Sequence, residues 1–156
     1  VEDTLGVGLL FYPGGLVDPV AYVPMAHQIA AAGYEVQLIK IPYRIAAMKW
    51  QEREVEARTL DALSDKKWVL AGHSRGARMV LAFAGLNETR LAGLILIGSS
   101  HPREIDYSAL RIPIMKVYGS NDGLASPAEV DQFKPNLPPH TQWVLIDGAN
   151  HAQFAW

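Results

Sequence analysis

The chain has 156 residues, 49% of them hydrophobic and 19% charged, with a formal charge of −2 when histidine is neutral. That supplies one sizeable core and argues against both disorder and a nucleic-acid partner. Cysteine is absent, which excludes disulfides, a thiolate nucleophile and cysteine-based metal sites. No run of about 18 apolar residues could span a bilayer, and no signal peptide is visible. The expectation is a soluble chain, compatible with the reducing cytoplasm. Its start at Val1 instead of Met fits processing, trimming or an incomplete sequence.

Gly6 to Tyr12 is a short apolar run and reads as the first strand. Pro13-Gly14-Gly15 ends it in a loop. Asp18 and Pro19 are suited to cap and open a helix that carries Val20, Val23, Met25, Ala26, Ile29 and Ala30. Gly33 closes that helix, and Pro24 allows it to begin later than Val20. Tyr34 to Ile41 is rich in β-branched and aromatic residues and reads as the second strand. Trp50 to Leu63 is charged and reads as a solvated helix with one apolar edge.

The next stretch organises the others. Trp68 to Ala71 is an apolar strand, Gly72-His73-Ser74-Arg75-Gly76 turns sharply, and Ala77 to about Gly85 continues as a helix. Strand, Gly-x-Ser-x-Gly, helix is the pattern of a nucleophile elbow. Such a turn strains the serine backbone and lifts its hydroxyl clear of the sheet. Glycines on either side let neighbouring backbone pass close by. The helix then aims its first N–H groups at the same point.

Leu91 to Gly98 reads as a fourth strand and Ser99 to Arg111 as a loop. Pro113 to Tyr118 reads as a fifth strand, with proline at its first position. Ser126-Pro127-Ala128-Glu129 opens a short helix with a capping box. Trp143 to Ile146 is the sixth strand, followed by Asp147-Gly148-Ala149-Asn150-His151. Strands that are continuous apolar runs, alternating with helices, predict a mostly parallel sheet of about six or more strands covered by helices on both faces. No linker or repeat divides it, so residues 1–156 read as one domain.

A serine hydroxyl needs a base in contact, and the base needs an orienting acid. In a parallel sheet, such groups gather beyond the carboxyl ends of the strands. Asp122 follows the fifth strand and His151 the sixth, so Ser74, Asp122 and His151 share one edge in the order expected with an elbow. The rivals are weaker. Asp147 suits a turn, Asp106 and His101 sit in the loop after the fourth strand, His140 precedes a strand, and His73 and His27 read as structural or surface residues. His101 is the alternative base and reads as a lining residue of the substrate pocket, with Gly14. An oxyanion needs two N–H donors. Arg75 should supply one, and the loop after the first strand the other, from Gly15 or Leu16. Arg44, Arg75 and Arg103 could form an anion site, although surface arginines account for them equally simply.

These residues resemble the α/β-hydrolase family along nearly the whole chain. Gly72-His73-Ser74-Arg75-Gly76 resembles its elbow, Tyr118 to Pro127 its acid loop, and Gly148 to Phe154 its histidine loop. The Phe11-Tyr12-Pro13-Gly14-Gly15 start resembles the small, lidless, dienelactone-hydrolase-like group. The resemblance implies a carboxylic-ester hydrolase with no cofactor and no metal, acting on a small-molecule ester. It assigns Ser74 as nucleophile, His151 as base and Asp122 as orienting acid. Family members usually carry strands before the first one read here and a helix after the histidine loop. The resemblance therefore implies a smaller sheet and a histidine loop without its usual support; with only Ser99 to Arg111 between the fourth and fifth strands, too short for a lid, it also implies an open cleft. Two alternatives remain: a non-catalytic binding module on this fold, and thioesterase, dienelactone or peptidase chemistry on the same three residues.

Overall fold

A computed structural model of the chain describes residues 6–44, 48–63 and 66–155. Six strands build one sheet: β1 (Val7–Tyr12), β2 (Glu35–Leu38), β3 (Lys67–His73), β4 (Gly93–Ile97), β5 (Ile114–Gly119) and β6 (Gln142–Ile146). Their order is β2-β1-β3-β4-β5-β6, and every neighbouring pair is parallel. The register pairs Tyr12 with Gly72, His73 with Ile97, and Gly119 with Ile146, so the carboxyl ends run level. The strand order reverses between β1 and β3. In an open α/β sheet this switch point leaves a crevice at the carboxyl edge.

Period-two alternation sends successive side chains of β1 to opposite faces. Leu10 and Tyr12 join Leu70, Leu94 and Leu96 in a core with Val55, Val80, Leu81 and Ala84. Those partners lie on α2 (Lys49–Ala62) and α3 (Arg75–Asn87). Leu9, Phe11 and Ala71 face the other way, onto Tyr22, Met25 and Ile29. Helical segments therefore cover both faces, and the sheet carries two separate apolar layers.

Several element ends differ from the sequence reading. The helix expected from Val20 is split into a 3-10 turn, Pro19–Tyr22, and α1, Val23–Ala31. Asp18 caps the first piece by accepting from the Val20 N–H at 3.0 Å. Pro24 falls in the first turn of α1, where its missing N–H costs no bond. The second strand covers only Glu35–Leu38, yet Ile39 and Ile41 are still buried in the core. The short helix α4 spans Pro127–Gln132, with Ser126 and Glu129 forming the expected capping box. Trp156, the end of the apolar tail, lies outside the described residues.

The turn between β3 and α3 depends on two glycines. A Cβ on Gly72 would lie 2.4 Å from the Gly76 carbonyl carbon, and one on Gly76 would lie 2.3 Å from the Tyr12 carbonyl oxygen. Any side chain at either position would push α3 away from β1 and β3. The tight packing of this helix on the sheet sets the height of Ser74 above the strand ends.

Candidate active site

Ser74 sits between β3 and α3 with φ 53 and ψ −115. A non-glycine residue in this region stores about 1–3 kcal/mol of strain. The surrounding bonds hold it there: its N–H donates to the Ile97 carbonyl at 2.8 Å, and its own carbonyl accepts from the Ala77 N–H at 3.1 Å. The side chain makes no capping bond to α3. Instead, Ser74 lines a cavity of 220 Å³ at the carboxyl edge, and His151 lines the same cavity.

His151 Nδ1 lies 2.9 Å from Asp122 Oδ2 and 3.1 Å from Oδ1. Against a carboxylate, Nδ1 carries the proton and donates it, which leaves the Nε2 lone pair for another partner. Asp122 is buried at 2% exposure and also accepts from the Leu124 and Ala125 N–H groups at 2.9 and 2.8 Å. Burial alone would raise its pKa. The bonds from Ala125, His151 and Leu124 outweigh that effect and hold it below the usual carboxylate value. The histidine loop has its own supports. His151 opens a 3-10 turn, His151–Phe154, capped by reciprocal bonds between Asn150 and Gln153. The Phe154 ring packs 5.8 Å from that of His73.

His73, inside the elbow, is buried and joins three parts of the site. The Gly14 N–H donates to Tyr22 Oη at 2.9 Å, and that hydroxyl donates to His73 Nδ1 at 2.8 Å. On its other side the His73 ring lies 4.8 Å from the His151 ring. Burial is the main cause that lowers its pKa to about 4, and a charged His151 pushes it the same way. The ring is therefore neutral near pH 7. Its Nε2 has no hydrogen-bond partner among the described residues; the nearby main chain of His151 still favours the protonated ring without making a well-formed bond.

Between β1 and α1 the loop N–H groups are already divided. Gly14 is engaged with Tyr22, and Leu16, at φ 64, donates to the Arg44 carbonyl at 2.6 Å. The Leu16 N–H is thus occupied, and Gly15 is the loop position whose N–H makes no bond to another described residue. A Cβ on Gly15 would sit 3.2 Å from Arg75 Nε, so this glycine lies directly under the residue after Ser74.

The other candidates fall outside this contact set. His101 lines the cavity, but its ring makes no hydrogen bond among the described residues; burial, then Arg103, Arg78 and Lys116, lower its pKa to about 4. Asp106 is exposed and accepts from the Ser108 N–H, while Asp147 accepts from Ser120 Oγ. His140 donates to the Ile112 carbonyl beside the amino end of β5, at the opposite edge. Arg44 pairs with Asp18 at 2.5 Å. Tyr22 and Arg78 gave no motif in the sequence. Arg78 could have been found, because four residues past Ser74 on a helix places it one turn above the nucleophile position. No trio of His, Asp or Glu among the described residues could hold a metal ion, and no described helix is long and apolar enough to cross a membrane.

This sheet order, with a serine on a strained strand-to-helix turn, defines the α/β-hydrolase class of fold. Residues 8–156 match the Alpha/beta hydrolase family, and the chain belongs to that family. Comparison with curated proteins gave no match. Among solved structures, a predicted CIB-like hydrolase from Thermoplasma acidophilum superposes with TM-score 0.81 at 16% identity, covering 97% of this chain and 80% of the other. An alpha-beta serine hydrolase homologue from Coxiella burnetii gives 0.76 at 18%, covering 97% and 79%. A monoacylglycerol lipase from Paleococcus ferrophilus gives 0.76 at 12%, covering 92% and 85%. At these identities the likeness is one of fold.

Proposed function

We propose that the chain is a serine hydrolase that cleaves carboxylic esters through an acyl-enzyme on Ser74. One observation carries this reading: His151 is held by Asp122 through Nδ1 while sharing a cavity with Ser74. In the proposed reaction Ser74 Oγ attacks the ester carbonyl carbon and its proton passes to His151 Nε2. The carbonyl oxygen takes the negative charge and is met by the N–H groups of Gly15 and Arg75. His151 returns the proton to the leaving alcohol. It then takes a proton from water, whose oxygen attacks the acyl carbon, and passes that proton to Ser74 Oγ as the acyl–oxygen bond breaks and the acid leaves. Asp122 remains ionised throughout and stabilises the imidazolium.

The cleft is lidless, and the Phe11 to Gly15 start supports a place near the dienelactone-hydrolase-like group within the same proposal. Hydrolysis of a short 4-nitrophenyl ester tests the reading. Turnover that disappears in Ser74→Ala is expected. A folded wild-type protein with no Ser74-dependent turnover would leave a binding module as the better account.

A further inference from the structure

We infer that the site is built for esters whose acyl group carries a free carboxylate, such as monoesters of short dicarboxylic acids, with Arg78 and Arg103 holding that carboxylate. This inference rests on the hydrolase reading above and specifies its substrate class.

The lining of the Ser74 cavity carries it. Arg75, Arg78 and Arg103 line a space that Ser74 and His151 also line, and among the described residues no Asp or Glu lines it. A cleft lined by one sign of charge concentrates ligands of the other sign. Arg78 rises from α3 one turn beyond the nucleophile. Arg103 enters from the loop after β4, and its Nε and Nη2 donate to Ser100 Oγ at 2.8 and 2.5 Å. That hydroxyl orients the guanidinium before any ligand arrives, which reduces the entropy lost on binding. The acidic partners of these arginines stand outside the cavity: Glu52 is 3.3 Å from Arg78, and Glu129 is 3.2 Å from Arg103. Both pairs are half-exposed surface contacts, which hold a guanidinium weakly.

Burial is the main cause that lowers the His101 pKa; Arg103, Arg78 and Lys116 then act in the same direction, against Glu104. A carboxylate would be attracted where a proton is repelled. Volume limits the rest of the ligand. At 220 Å³ the cavity holds about seven water-sized groups, a short acyl chain with its terminal carboxylate. The larger 410 Å³ cavity between α2, α3 and the loop after β4 shares Arg78, His101 and Arg103 with it and is lined by Glu52, Glu56 and Glu104, so the carboxylate belongs on the Ser74 side. In the reaction the ester C–O bond breaks, the oxygen of water joins the acyl carbon, and the alcohol leaves with a proton. The other product is a dicarboxylate.

The test compares 4-nitrophenyl hemisuccinate with its neutral methyl-capped counterpart, each corrected with Ser74→Ala protein. The expected kcat/KM ratio favours the charged ester by about tenfold or more, the scale of a charge-assisted hydrogen bond. It should fall several-fold between 0.05 and 0.5 M NaCl, roughly the range over which screening removes such attraction. Arg78→Gln and Arg103→Gln should each reduce the ratio about fivefold or more. A ratio of one or below, or one indifferent to salt and to both substitutions, overturns the inference while leaving a hydrolase. If neither ester shows Ser74-dependent turnover, the hydrolase reading fails separately. Calorimetry with succinate then decides the carboxylate site: binding weakened by Arg78→Gln upholds it, and no binding overturns it.

Discussion

Acidification below pH 6.5 should destabilise the fold through His73, and the size of the effect follows from its burial. The ring is 2% exposed and titrates in the fold at about 4 instead of 6.5. Between these values the unfolded chain binds a proton that the folded chain refuses. Stability therefore rises with pH across this window and is lost as pH falls from 6.5 towards 4. One proton corresponds to about 1.4 kcal/mol per pH unit, so His73 accounts for about 3 kcal/mol over the whole interval. His101, also lowered to about 4, titrates over the same range, so wild-type protein should show a slope of up to two protons. His73→Asn isolates the first of them: the amide keeps an acceptor for Tyr22 Oη but cannot titrate. Urea unfolding at half-unit steps from pH 7 to pH 4 gives the two slopes. The variant should fall short of wild type by about one proton. Equal slopes would refute the assignment of a buried, neutral His73.

Two further substitutions probe the same network. Asp122→Asn removes the charge that holds His151 Nδ1–H, and kcat on a short ester should drop by roughly three to four orders of magnitude with KM little changed. A loss under tenfold would argue against Asp122 as the orienting acid. Tyr22→Phe strips both the Gly14 N–H and His73 Nδ1 of their partner, and chemical denaturation should show a loss of about 2–4 kcal/mol. Unchanged stability would mean that water replaces the hydroxyl.

The parts of the candidate site whose placement was legible in the sequence are those fixed by chain direction. A parallel sheet places every strand-to-helix loop on one edge, so Ser74, Asp122 and His151 could be grouped from order alone. Glycine positions worked similarly, since Gly72 and Gly76 occupy places where no Cβ fits. Contacts between side chains that chain order does not pair stayed hidden. Tyr22 and His73 are 51 positions apart, and nothing in either segment signals the bond between them. Nor could the sequence show that the Arg44 carbonyl takes the Leu16 N–H. Lys116 is another such case. Within β5 it is buried at 1% exposure and donates to the His101 carbonyl, with burial lowering its pKa to about 7. The split helix near Pro19 arose because Asp18 and Pro24 each favour a start, so the chain makes a 3-10 turn first and a helix second.

A fluorophosphonate probe followed by peptide mass spectrometry addresses the nucleophile itself. One adduct on the peptide bearing Ser74 is predicted, slowed at least a hundredfold in His151→Ala and absent in Ser74→Ala. Labelling at another serine, or a rate indifferent to the loss of the imidazole, would contradict a Ser74–His151 hydrolase.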